Sequence, residues 1–156
     1  NTISRPYNPE PQRLAEALRD QLRRIGLEVK LTAYDRAAFN DKYKEPSHPM
    51  YLSGWIADVP DPDNFFHPLL HGDSKKDMNG AFFDDPAFNR AVTEAQGETD
   101  PGKRKALLAT AYGRYREALP TIPLVHVPLV LATAKGVRYA LHPIEYRFYT
   151  VSFGAP

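Results

Sequence analysis

From Pro9 onward the apolar positions Leu14, Leu18, Leu22 and Ile25 recur at helical spacing, and Gly26 supplies a stop. The period then changes. Leu27, Val29 and Leu31 alternate with Glu28, Lys30 and Thr32, the pattern of a half-buried strand. Asp35 is placed to cap a short helix carrying Ala38, Phe39 and Tyr43, and residues 50–53 read as a second short strand. A long irregular stretch follows from 54 to about 83, with one helical turn expected after Asp61. Two more helices are predicted, one from Asp85 to about Gln96 and one from Asp100. The second carries Leu108, Tyr112, Tyr115 and Leu119 on one stripe. Residues 122–134 are almost wholly apolar, as expected of a strand covered on both faces, with Pro123 and Pro128 at its start, an edge or a bend. The aromatic-rich stretch 139–153 reads as extended. Strands alternating with helices predict an α/β domain with a mixed sheet.

Proline sharpens the helix starts. The chain has 15 prolines, about double the usual share of ~5%. Asn8-Pro9, Asp61-Pro62, Asp85-Pro86 and Asp100-Pro101 each place a cap residue before a proline. At the first helical position the missing N–H costs nothing and φ is already set. These pairs predict four helix starts.

Composition removes function classes more than it adds them. The 156 residues suffice for one domain, with no internal repeat or linker to divide it, so 1–156 is read as a single unit. Lys and Arg number 20 against 19 Asp and Glu, and a net charge of +1 gives no general attraction for nucleic acid. No cysteine is available for disulfides or thiolate metal sites. The N-terminal Asn-Thr-Ile-Ser-Arg-Pro-Tyr lacks a signal-peptide pattern and reads like the middle of a strand, so a piece of a longer polypeptide is expected.

Candidate chemistry concentrates at Gly54-Trp55-Ile56-Ala57-Asp58-Val59-Pro60-Asp61-Pro62-Asp63-Asn64-Phe65-Phe66, directly after the strand expected at 50–53. Here the single tryptophan meets three carboxylates and two prolines. Ligands of open α/β sheets bind beyond the carboxyl ends of strands, and an aromatic platform beside a fixed carboxylate suits a ligand site. The alternative makes Trp55 core and the aspartates turn and cap residues. Asp61, followed by Pro62, fits the cap role; for Asp58 the residues alone do not choose.

This stretch resembles the signature of the peptide- and nickel-binding family of extracytoplasmic solute-binding proteins. There a strand ends in Gly-Trp, and an Asp three residues after the Trp is followed by Asp-Pro and Phe-Phe. Arg5-Pro6-Tyr7-Asn8-Pro9, Ile25-Gly26-Leu27-Glu28-Val29, Asp85-Pro86-Ala87-Phe88 and Leu119-Pro120-Thr121-Ile122-Pro123-Leu124 carry the resemblance through nearly the whole chain. It implies one lobe of a periplasmic-binding-protein-like (type II) fold, most of the C-terminal lobe, with the N-terminal lobe of the same chain missing. It also implies a periplasmic or extracytoplasmic location, with or without a lipid anchor, an ABC-importer membrane permease as partner and a short peptide as ligand. Asp58 would then receive the ligand's α-ammonium, with backbone groups of Gly54 and Trp55 beside it. Arg5 would hold the α-carboxylate. Two extended residues span ~7 Å, so the two charges would select a dipeptide by length.

Other readings are weaker. Oligopeptide, nickel-chelate and haem ligands occur within the same resemblance. His67 and His71 stand at i, i+4, but Pro68 lies between them and no third ligand is suggestively spaced, so they read as surface or loop histidines. A hydrolase would pair Asp58 with Asp61 or Asp63, yet nothing supplies a raised-pKa environment, and Ser53 lacks the Gly-x-Ser-x-Gly turn. No cofactor and no catalysis are expected.

Overall fold

The computed structural model describes residue 5 and residues 7–128, 130–140, 142 and 147–154. Five α-helices follow in order: α1 (Pro11–Arg24), α2 (Arg36–Tyr43), α3 (Asp63–Leu70), α4 (Pro86–Gly97) and α5 (Pro101–Ala118). A 3₁₀ turn at Gly72–Lys76 links α3 to α4, and a second lies at Phe148–Thr150. The described sheet is one antiparallel pair, β1 (Val137–Arg138) against β2 (Ser152–Phe153), with Val137 opposite Phe153.

The caps decide most of the helix starts. Asp35, Asp85 and Asp100 accept the backbone N–H of Ala38, Phe88 and Lys103 at 2.9, 2.7 and 2.8 Å. Pro86 and Pro101 follow as first helical residues. Helix α1 starts two residues beyond the expected place, with Pro11 rather than Pro9 in its first turn and Glu10 as a cap that makes no side-chain bond. Its other end is as expected. Gly26 takes φ +86°, and the amides of Gly26 and Leu27 return to the carbonyls of Arg23 and Leu22, which closes the last turn.

The core lies where α3, α4 and α5 meet. Leu70, Phe88, Ala91, Val92 and Ala111 are buried together, and Phe66, Leu69, Phe83 and Tyr115 close the cluster. The Phe88 ring meets Phe66 and Phe83 edge-on, at centroid distances of 5.7 and 5.2 Å. On α5 the contact line runs through Ala111, with Tyr112 and Leu119 exposed, so the expected Leu108–Tyr112–Tyr115–Leu119 stripe is rotated. A large-residue count overlooks alanine, whose small side chain lets two helices approach closely.

Three expected strands do not form among the described residues. Residues 27–32, 50–53 and 122–134 take part in no ladder, and the described sheet is not mixed. The segment 122–134 is exposed where it was expected to be covered: Ile122 is 76% and Val130 82% accessible. Alternation and apolarity report what a segment would bury, whereas a strand exists only beside a neighbour that takes its hydrogen bonds. The stretch read as mid-strand at residues 1–4 lies outside the described residues, as do 129 and, within the aromatic stretch, 141 and 143–146.

Ion pairs lock the helical part. Arg114 on α5 holds the Asp85 carboxylate through Nη2 at 2.6 Å and Nε at 3.1 Å, lashing α5 to the cap of α4. The Arg114 guanidinium, with the Phe88 amide, lowers the Asp85 pKa below the ordinary aspartate value. A carboxyl depressed in the folded state stabilises fully above its unfolded pKa of about 4, and that contribution is lost as pH falls through the folded value. Asp85→Asn keeps a cap acceptor but removes the charge. It should lower Tm by about 2–4 °C at pH 7, and thermal scans should show the difference from wild type closing as pH drops below 4.

Candidate functional site

The loop between residue 54 and α3 is built around one side-chain oxygen. Asn64, in the first turn of α3, accepts the Trp55 indole N–H at 3.2 Å and the Asp58 backbone N–H at 2.9 Å through the same Oδ1. The loop therefore folds back over the helix start that follows it. Trp55 is half-buried, and Asp58 projects with its side chain exposed.

Gly54 marks a close approach. A side chain there would meet the Tyr7 ring carbons Cδ2 and Cε2 at 2.5 Å, so the ring takes the space a Cβ would fill. Tyr7 thereby joins the N-terminal turn to the Gly54–Asp58 loop. That turn is closed by two 2.9 Å backbone bonds between Arg5 and Asn8. Within it the Arg5 Nε is buried with no hydrogen-bond partner among the described residues. Such a donor costs stability unless something else accepts from it.

The three carboxylates separate by what they already hold. Asp61 accepts from Arg104 on α5 at 2.9 Å and from the Asp63 backbone N–H at 2.8 Å. The Arg104 hydrogen bond keeps the Asp61 carboxyl below the ordinary aspartate value. Asp63 accepts the Gln96 side-chain amide at 3.0 and 3.1 Å, which ties α3 to α4. For the Asp58 carboxylate no partner exists among the described residues. The cap reading of Asp61 is close: its carboxylate does bond the start of α3, although α3 itself begins at Asp63 after Pro62.

The histidines differ from expectation. Pro68 sits inside α3 instead of interrupting it, and the His67 and His71 rings stack at 4.7 Å. His71 lies in the connection between α3 and the 3₁₀ turn, but it is buried rather than at the surface. Its Nδ1 accepts the Asp73 amide at 3.2 Å and its Nε2 lies 3.2 Å from Thr93 Oγ1, so both ring nitrogens are engaged. Packing under the 3₁₀ turn explains this burial, which the polar run after His71 concealed.

Residues 1–77 match the family model described as bacterial extracellular solute-binding proteins, family 5, middle. Over this segment the chain is similar to that family. The similarity runs on through the rest of the chain. The chain is 30% identical to di/tripeptide-binding protein 1 of Pseudomonas aeruginosa over 97% of its own length and 29% of the relative's. It is 31% identical to heme-binding protein A of Haemophilus influenzae over 96% of its length and 28% of that protein's. Among solved structures, a dipeptide-binding protein of a Pseudoalteromonas species in complex with Met-Leu superposes with a TM-score of 0.80 at 33% identity, covering 97% of this chain and 30% of that one. The chain thus spans less than a third of the length of these proteins. Its fold is that of a partial α/β lobe of the family 5 type.

Two positions escaped the sequence reading. Asn64 carries no charge and stood only as one letter in the motif; its place in the first turn of a helix after Asp-Pro-Asp was the available signal. Tyr7 was noted only as context for Arg5. Asn64→Ala removes the acceptor that holds both ends of the loop. It should cost about 1–2 kcal/mol of stability, and hydrogen exchange should show the Asp58 amide exchanging much faster while the amides of α4 keep their protection.

Proposed function

We propose that this chain carries the charged half of a peptide site in the solute-binding component of an ABC importer. Asp58 receives the ligand's α-ammonium, the backbone near Gly54 and Trp55 lies beside it, and Arg5 takes the α-carboxylate. The single observation that supports this reading is the sorting of the loop carboxylates: Asp61 and Asp63 hold partners within the fold, and Asp58 holds none among the described residues. The buried Arg5 Nε, which has no partner among the described residues, is a lesser support. A carboxylate accepts from an ammonium, and a guanidinium fork grips a carboxylate through two parallel bonds. Held at a fixed separation, the two would measure a peptide by its length and leave its side chains free to vary.

Several relatives that share this segment are named for dipeptides or di- and tripeptides, and one solved relative holds Met-Leu. In this reading 1–156 is most of the C-terminal lobe, its partners are the rest of the polypeptide and a membrane permease, and it works outside the cytoplasmic membrane. It binds its ligand and leaves it chemically unchanged. Asp61, held as a carboxylate by Arg104, is badly placed to act as a general acid. Haem is the second reading, favoured by the heme-binding relative; a hemin absorbance titration separates the two.

In the full-length protein, Asp58→Ala should weaken dipeptide binding by about 2–5 kcal/mol, or roughly 30- to several-thousand-fold. Calorimetry reads this directly, with Gln96→Ala as a control that should change affinity little. Binding of the Asp58 variant within a few-fold of wild type would remove Asp58 from the site.

A further inference from the structure

Asn79 is a fully buried polar residue that the ligand site does not use. Its side-chain amide donates to the carbonyls of His71 at 3.0 Å and Phe83 at 2.8 Å, and its Oδ1 accepts the Phe83 N–H at 3.2 Å. Its own backbone bonds Ser74 and Phe82. One residue therefore ties the 3₁₀ turn after α3 to the loop that delivers Phe83 to the core.

Its neighbour is constrained just as firmly. A side chain at Gly80 would meet Tyr43 ring carbons at 2.5 Å, so any residue larger than glycine would have to displace that ring. The two requirements place Asn before Gly, and no other asparagine in the chain precedes a glycine. That pairing has a chemistry of its own. With no side chain to hinder it, a glycine nitrogen attacks the preceding asparagine side chain more readily than any other residue's does. A bond forms between the Gly80 nitrogen and Asn79 Cγ, the Cγ–Nδ2 bond breaks, and ammonia leaves with the former Gly80 amide proton. Water then opens the resulting five-membered imide to aspartate or to an isoaspartyl linkage.

We propose that Asn79–Gly80 is a deamidation site that the native fold keeps closed and that local opening exposes. In the folded protein Nδ2 and Oδ1 are both anchored, and the Gly80 N–H is donated to Met78 O at 3.0 Å. Cγ is thus unable to turn toward the attacking nitrogen. After opening, reaction is irreversible in its effect. The product carboxylate has no N–H to offer the His71 and Phe83 carbonyls, and it would be a buried charge facing two acceptors. A chain that reacts while open is therefore barred from its native packing, and deamidation at Asn79 accumulates with the time spent open.

The rate should follow the population of the open form. Full-length protein incubated at mildly alkaline pH, native and in guanidinium chloride, is digested and its peptides are mapped by mass. Deamidation at Asn79 is expected to be at least about a hundredfold slower in the native sample, with Phe88→Ala, which weakens the adjoining core, lying between the two. The deamidated fraction, returned to native buffer, should show a lower Tm than the unreacted fraction. Equal rates in native and denatured samples would overturn the proposal, and so would a deamidated chain that refolds with wild-type Tm.

Discussion

Arg104 is the contact on which the geometry of the loop depends. From α5 its Nε reaches the Ala95 carbonyl near the end of α4 at 3.0 Å, and its Nη2 reaches Asp61 at 2.9 Å. One planar group thus binds two packed helices and the start of a third. The pair is partly shielded, with Arg104 29% and Asp61 34% accessible, so it is worth more than a fully solvated pair. With Asp61 fixed, α3 begins at a defined place, Asn64 is presented to the preceding loop, and the loop closes over it.

A distribution of charge follows from that arrangement. Three carboxylates crowd a short segment, and two are engaged structurally: Asp61 by the Arg104 guanidinium of α5, Asp63 by the Gln96 side-chain amide of α4. The third is carried outward by a backbone whose amide is already satisfied. A site meant to receive a cation needs an acceptor that folding leaves unspent, and rigid support so that little ordering remains when the ligand arrives. The Tyr7 ring against Gly54 gives the same support from the N-terminal side.

What could be read from the residues was what local physics decides. The Asp-Pro starts of α4 and α5, the Asp35 cap and the Gly26 stop each depend on a few neighbouring residues, and all hold. The strands at 27–32, 50–53 and 122–134 depend on distant partners, and the chain spans less than a third of the length of its relatives. Their apolar patterning is intact while their hydrogen bonding is not found among the described residues. Trp55 and Asp58 stood out through composition and motif. Asn64, Tyr7 and Arg104 did not, because their roles are contacts across 6, 47 and 43 residues of sequence. His71 was misjudged because the polarity of its successors says nothing about the Thr93 side chain above it.

The central claim is that folding spends two of the loop carboxylates and reserves the third for the ligand. Carbon-13 NMR of the aspartate carboxyl groups in the full-length protein tests it directly, with assignments by substitution and spectra recorded with and without a dipeptide. The account predicts that the Asp58 signal moves on binding and that those of Asp61 and Asp63 stay near their unliganded positions. Movement at Asp61 or Asp63 with Asp58 unchanged would contradict it.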